Sequence, residues 1–347
     1  MFDVRKKPRI GADGARSLAA KHYGLDSVAI ELTSERDQNF LLVGRDGLKH
    51  VLKIANPTYD PRVLALENQV LDHVGKKDPK LPIPRLLSSA SGLTIVTEIG
   101  RNGLEYLARL ITFLDGNPMA LAKPHTPVLM LELGSMLARL DSAMAGLWSP
   151  VAQRPFTWSL YQAIGIMKEH ASSLKNQKQR TIVDHFLARF EASVFPQLSG
   201  FTHGLIHNDA NDHNILVREL DSGKLVISGL LDFGDLIWGP IIYEPAVAAA
   251  YAILDEPDPM TIAGNILAGY HEFSPMSRKE IVSYLELIAI RLCTSVVLAA
   301  HHRKLMPENE YLSISEKAAW EALYKLISLK PSRASEYFIK VCDPEPV

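Results

Sequence analysis

Seventeen residues separate Asn214 from Asp232, and they are patterned as a β-hairpin. The run Ile215-Leu-Val-Arg-Glu-Leu-Asp-Ser-Gly-Lys-Leu-Val-Ile-Ser-Gly-Leu-Leu231 sets two β-rich stretches around an Asp-Ser-Gly-Lys turn. No other stretch constrains the fold as tightly, because an antiparallel hairpin decides which residues flank its open end. With the turn centred on Gly223, Asn214 falls opposite Asp232, at a Cβ separation of about 4.5–5.5 Å. An amide oxygen and a carboxylate so placed can hold one hard cation such as Mg2+, which takes a few protein oxygens and keeps several waters. A register slip of one residue would still leave the two groups neighbours.

The segment ahead of the hairpin is His207-Asn-Asp209-Ala-Asn-Asp-His-Asn214, and the segment after it is Leu231-Asp-Phe-Gly-Asp235. Phosphoryl transfer from a nucleotide needs one carboxylate to orient the acceptor hydroxyl and oxygen ligands for the metal that neutralises the phosphates. An Asp, an Asn five residues on, and a second Asp beyond a short hairpin supply those groups in that order. Turn or capping chemistry explains any one of the three alone. Together they imply Asp209 as the catalytic residue, with Asn214 and Asp232 as the metal ligands. With an unperturbed pKa near 4, Asp209 would act mainly by aiming the hydroxyl in line with the γ-phosphate.

The first hundred residues read as strand-rich. Candidate strands are Val28–Leu32, Phe40–Val43, Leu48–Ile54, Leu93–Ile99 and Leu104–Leu114, with turns at Arg45-Asp46-Gly47 and Arg101-Asn102-Gly103. Asp60-Pro61 opens a helix as N-cap and first-turn proline, and Gly75 is expected to close it. Within that helix Glu67 shares the apolar stripe of Val63, Leu64, Val70, Leu71 and Val74. A carboxylate there is costly unless paired, and Lys53 on the preceding strand is the expected partner, holding the α- and β-phosphates. The loop ahead of Lys53 has no glycine. Its Ser34, Asp37, Gln38 and Asn39 are the candidates for phosphate contact.

From about residue 118 the pattern turns helical, through Val128–Leu147, Arg180–Val194, Pro259–Phe273 and Arg278–Ala300. The reading is an α+β, two-lobed chain: a five-stranded antiparallel N-lobe with one main helix over 1–114, and a mostly helical C-lobe with the catalytic β-hairpin over 115–347. A formal net charge of −2 argues against a broad nucleic-acid surface. Two cysteines give no disulfide framework and fit a reducing, cytoplasmic setting. The first residues lack the apolar core of a secretory signal. The apolar stretches 236–254 and 281–300 are interrupted by Pro240, Glu244, Pro245, Glu286 and Arg291, so both are expected in a protein core and not in a membrane.

On these residues the chain resembles the aminoglycoside phosphotransferase superfamily of kinase-like enzymes, and within it the hydroxylysine kinase branch. The resemblance is carried by Asp37-Gln-Asn-Phe40, Val51-Leu-Lys53-Ile, Arg109-Leu-Ile-Thr-Phe-Leu-Asp-Gly116, the two catalytic segments, Arg291-Leu-Cys-Thr-Ser295 and Pro307-Glu-Asn309. It implies a protein-kinase-like fold with the nucleotide in the cleft, Mg2+ dependence, and GTP beside ATP as phosphoryl donor. By position it assigns Asp209, Asn214, Asp232, Lys53 and Glu67 the roles given above. It also brings backbone groups of Leu110, Ile111, Thr112 and Phe113 to the purine. The family usually has Gly at the position of Asn208, and Asn is the non-glycine residue best suited to a left-handed conformation.

The acceptor implied is a small hydroxylated amine or amino acid. Asp212, Asp235 and Glu244 are candidate ammonium partners, and Arg291, a cation on an apolar helix, needs a carboxylate from the substrate or from Glu244 or Glu286. Trp158 and Trp238 either wall that pocket or pack in the core. Other acceptors of the superfamily (aminoglycoside, choline or ethanolamine, homoserine) and a nucleotide-binding pseudokinase remain alternatives. A zinc hydrolase using His203, His207, Asp209 and His213 would leave Asn214, Asp232, Lys53 and Glu67 without roles.

Overall fold

Alternation of apolar and polar residues in the strands decides what the first part of the chain buries. The computed structural model describes residues 7–34, 36–100, 103–305 and 316–343. Two compact units result, Met1–Asp115 and Gly116–Val347. Arg101, Asn102 and the Pro307-Glu-Asn309 motif lie outside the described residues.

The first unit runs α1 (Ala12–Tyr23), β1 (Ser27–Leu32), β2 (Gln38–Gly44), β3 (Lys49–Ile54), α2 (Pro61–Lys77), β4 (Leu86–Leu87), β5 (Val96–Ile99) and β6 (Glu105–Thr112). Its six-stranded sheet has the order β1-β2-β3-β6-β4, with β5 also on β6. It therefore holds one short strand and one helix more than the sequence suggested. One sheet face carries Ala29, Phe40, Leu42, Leu52, Ile54, Ala108 and Leu110, which pack with Ala15, Leu18 and Ala19 of α1. The other face is set by the register: Ile30, Leu41, Val51 and Ile111 form one row, and Asn39, Lys53 and Arg109 the next.

Asp60 caps α2 by accepting the Arg62 N–H at 2.9 Å. The helix does not stop at Gly75 but continues to Lys77. Gly75 serves packing instead, since a Cβ there would lie 3.1 Å from an Arg85 guanidinium nitrogen.

The second unit begins with β7 (Asn117–Pro118), α3 (Pro127–Met144), α4 (Ala163–His170), α5 (Gln177–Arg189) and β8 (His203–Ile206). The hairpin β9 (Ile215–Glu219) and β10 (Leu225–Leu230) follows, then β11 (Ile237–Pro240). Helices α6 (Tyr243–Ala252), α7 (Pro259–Phe273), α8 (Arg278–Leu305), α9 (Glu316–Leu326) and α10 (Pro331–Cys342) complete it. Helices α3 and α7 touch at backbone distance: a Cβ on Gly134 would sit 2.0 Å from the Ile266 oxygen, and one on Gly269 2.1 Å from that of Leu131. By length and composition α8 could cross a membrane, but 89% of its apolar window is buried inside the protein. Its internal charges are paired within the unit, Glu286 with Arg189 and Arg291 with Asp209.

The hairpin register departs from expectation. Leu225 pairs with Glu219, which centres the turn on Ser222, and the ladder shifts between Ile227 and Gly229, leaving Ser228 as a bulge. Beyond the bulge Leu230 pairs with Ile215, and the Leu231 N–H bonds the Asn214 carbonyl at 2.9 Å. Asn214 thus faces Leu231, and Asp232 is the next residue along.

Candidate active site

Asp209 sits on the loop between β8 and β9, held from several sides. Asn214 turns its amide nitrogen onto Asp209, donating to Oδ2 at 2.8 Å and to the backbone oxygen at 2.9 Å. Arg291 donates to Oδ1 at 3.2 Å. Burial pushes the Asp209 carboxyl up to about 8; the Asp235 charge adds to this and Asp232 contributes, while Arg291 and Asn211 oppose it. Hydrogen bonds thus join Asn214 and Arg291 to Asp209, and the charges of Asp232 and Asp235 reach the same carboxyl.

The loop owes its shape to buried hydrogen bonds. Asn208 has φ of 66°, a left-handed conformation that Asn adopts more readily than most non-glycine residues. Its N–H donates to Glu244 Oε2 at 2.8 Å. His207 accepts the Asp209 N–H at Nδ1 (3.2 Å) and donates from Nε2 to the Leu231 oxygen (3.0 Å), so its ring is neutral and joins the loop to the end of the hairpin. His203 donates from Nδ1 to the Phe201 oxygen at 2.8 Å and accepts the Tyr161 hydroxyl at 2.7 Å. Both rings are occupied by protein partners, which takes two ligands from the zinc reading.

Asp232 also adopts a left-handed conformation, φ 61°, as the chain leaves β10. A one-residue slip would normally send a side chain to the opposite sheet face. Here the backbone turn at Asp232 ends the strand alternation, and its charge is felt at Asp209. Arg154 secures the following residues by donating to the Gly234 and Leu236 oxygens at 3.2 and 2.8 Å. Sequence reading gave Arg154 no role. The donor set fits a hard divalent ion: Asn214 points its nitrogen at Asp209, leaving its amide oxygen for a cation, and Asp232 is exposed.

The structure corrects several expected substrate and nucleotide contacts. Glu244 is fully buried and holds the Asn208 backbone, so it cannot meet an ammonium group; burial raises its carboxyl to about 7. Asp212 is buried in a separate neighbourhood, among the charges of His213, Lys123 and His125. Asp235 is buried beside Asp209 and Arg291. The carboxylate that Arg291 requires is Asp209, not one from Glu244, Glu286 or substrate. Trp158 packs over that guanidinium, 4.9 Å to the ring centroid.

In the first unit the cation on Glu67 is Arg109. It bonds Glu67 Oε2, while Asn68 accepts a second guanidinium nitrogen at 2.6 Å and the Tyr59 hydroxyl donates to Glu67 Oε1 at 2.6 Å. Strand register explains this, because Arg109 stands directly across from Lys53. Lys53 keeps its place on the same face, next to Asn39, whose Oδ1 is buried without a partner. Val28 and Ile30 are 62% and 51% exposed there, an apolar floor suited to a purine.

Gln38 is not part of this face. Its amide bonds Ile10 at both backbone atoms and Glu31, which ties the N-terminal segment to the sheet. Asp37 accepts the Asn56 N–H at 3.0 Å, and the Ser34 oxygen accepts Lys7 at 2.5 Å. Leu110 and Ile111 lie between β3 and β4, and Thr112 N–H bonds the Arg85 oxygen at 2.9 Å. The Phe113 N–H faces the Lys49 oxygen at 3.4 Å. The N–H groups of Thr112 and Phe113 thus serve the sheet and are engaged within the protein.

A sheet carrying Lys53 in one unit, and an Asp–Asn–Asp group beside a hairpin in the other, are the parts of a phosphotransferase with a protein-kinase-like α+β fold. The chain belongs to the phosphotransferase enzyme family, which matches it over residues 29–281. It is a small-molecule kinase acting on a hydroxyl acceptor, with a nucleotide donor and a divalent metal. It is 30% identical to the hydroxylysine kinase of Mus musculus over 96% of this chain and 94% of that one. The hydroxylysine kinase of Danio rerio is also 30% identical, over 95% of each chain. Among solved structures, an amicoumacin kinase bound to AMP-PNP and Ca2+ shares the fold with a TM-score of 0.68 at 14% identity, over 92% of this chain and 96% of that one. An aminopropanol kinase shares it with a TM-score of 0.66 at 16% identity, over 96% and 95%.

Proposed function

We propose that this kinase transfers the γ-phosphate of GTP or ATP, as the Mg2+ complex, to the hydroxyl of a hydroxylated amino acid of the hydroxylysine kind. The observation that carries the chemistry is the joint holding of Asp209 by Asn214 and Arg291 beside Asp232. Full-length similarity to hydroxylysine kinases supports the choice of acceptor.

In this reading Asp209 accepts the hydrogen bond of the acceptor hydroxyl, aims it at the γ-phosphorus and receives its proton. Asn214 and Asp232 would hold the metal, which supplies charge neutralisation on the phosphates. Lys53 meets the α- and β-phosphates, with Arg109 and Glu67 fixing its surroundings. Asn39 lies on the same face, where its unpartnered oxygen would accept a hydrogen bond from a ribose hydroxyl. The negative charge that Asp232 and Asp235 bring to the Asp209 site favours an acceptor that carries an ammonium group, without a direct contact from the buried Asp235. Cys293 and Cys342 are both free thiols, in keeping with a cytoplasmic setting.

The test is a panel of hydroxylated amines and amino acids, 5-hydroxylysine among them, assayed with Mg·ATP and Mg·GTP. Turnover highest on 5-hydroxylysine supports the proposal. Turnover confined to aminoglycosides or choline, or nucleotide binding with no transfer to any acceptor, rejects it.

A further inference from the structure

We propose that Arg291 is a positioning residue for phosphoryl transfer: it locks the carboxylate of Asp209 in the single orientation from which the acceptor hydroxyl is aimed. This rests on the reading of Asp209 as the hydroxyl-orienting group.

Arg291 enters from α8, 82 residues from Asp209 in sequence. Its side chain is 1% exposed. The guanidinium packs against two aromatic residues, 4.9 Å from the ring centroid of Trp158 and 5.5 Å from that of Tyr251. These contacts restrict the movement of the group. Within the plane, NH1 donates to the Trp158 oxygen at 2.7 Å and NH2 to Asp209 Oδ1 at 3.2 Å. The second carboxylate oxygen, Oδ2, takes the Asn214 amide at 2.8 Å.

Two donors on different oxygens, brought by a helix and a hairpin, fix both side-chain torsions of an aspartate. One donor would leave the carboxylate free to rotate. A guanidinium is required because two nitrogens must meet two acceptors from a fixed plane, which an ammonium group on a flexible stem cannot do. Of the buried carboxylates on this helix, Glu286 is taken by Arg189 and Glu280 by the Thr202 N–H and Ser277, so the carboxylate paired with Arg291 is Asp209. With NH1 and NH2 both bonded inside the protein, Arg291 acts through Asp209 and does not hold the substrate.

The experiment compares wild type with Arg291→Met, Arg291→Lys, Asp209→Asn and the double variant Arg291→Met/Asp209→Asn. It measures kcat and KM for the best acceptor of the panel and for the nucleotide, with a radiolabelled γ-phosphate to reach low rates. Arg291→Met is expected to lower kcat by about 100-fold, the scale of a small misplacement of a reacting group, with both KM values little changed. In the Asp209→Asn background the same substitution should cause no further loss. If Arg291→Met does not fold, Arg291→Lys carries the test, with a kcat loss that likewise vanishes once Asp209 is Asn.

Equal fractional losses in both backgrounds would overturn the proposal in favour of a purely architectural role. A raised acceptor KM with wild-type kcat would overturn it in favour of substrate contact. Asp209→Asn with undiminished turnover would instead reject Asp209 as the orienting group. An inactive Asp209→Asn beside a fully active Arg291→Met rejects only the role of Arg291.

Discussion

Asn208 has its side chain fully buried with neither amide atom bonded, while its backbone takes φ of 66°. An unsatisfied buried amide costs about 1–3 kcal/mol, and a left-handed non-glycine residue adds strain. Asn208→Gly relieves both, so its stability in urea should equal or exceed wild type. Asn208→Ala keeps the strain and should be the less stable of the two; an Asn208→Gly variant less stable than wild type would show that the amide is bonded in solution. At the neighbouring position, Asp209→Ala should retain nucleotide affinity and lose turnover by about 10²–10⁴-fold, the usual weight of a proton-accepting group. Asp232→Asn should need far more Mg2+ for half-maximal rate, and an unchanged metal titration would remove it from the ligand set. The three oxygen-bearing residues were legible in sequence because their spacing is local to one hairpin. The partner of Glu67 was not, because Arg109 reaches it through the order of strands, from 42 residues away.

Elements announced themselves where local chemistry fixes them. The Asp46-Gly47 turn and the Asp60 cap formed as their side-chain bonds dictate. The helix Ala12–Tyr23 went unread although it carries a plain stop signal, Gly24 at φ 67°. Its stripe of alanines is only weakly apolar, and it becomes visible as a helix through the sheet it covers. The bulge at Ser228 had one local signature that went unused, Gly229, since an isolated glycine inside a strand often marks a bulge. The α3–α7 contact supplies a prediction of its own. Gly134→Ala would drive a methyl group to within 2.0 Å of the Ile266 oxygen, so the helices must separate. The expected cost is at least the roughly 1–3 kcal/mol of ordinary overpacking, seen as a lower melting temperature. An unchanged melting temperature would mean that these helices pack more loosely than described.

For the molecule as a whole, binding energy should appear as stability. A nucleotide that binds only the native state adds about 2.7 kcal/mol at a hundred times its Kd, enough to raise the melting temperature measurably. The shift should depend on Mg2+ in wild type and lose that dependence in Asp232→Asn. The residue pattern changes near residue 115, where the two units divide; of the further helices in the second unit, α6 was hidden by nearly uniform apolarity, whereas α9 and α10 carry amphipathic patterns that could have been read. The β9–β10 turn is exposed from Arg218 to Lys224, and the bulge lies between it and the metal-binding end. Strand phase at Asn214 is therefore set downstream of the loop tip. A short epitope spliced between Ser222 and Gly223 should ride outside with full turnover retained, whereas one residue inserted between Leu230 and Leu231, beyond the bulge, should abolish it by moving Leu231 into the place of Asp232.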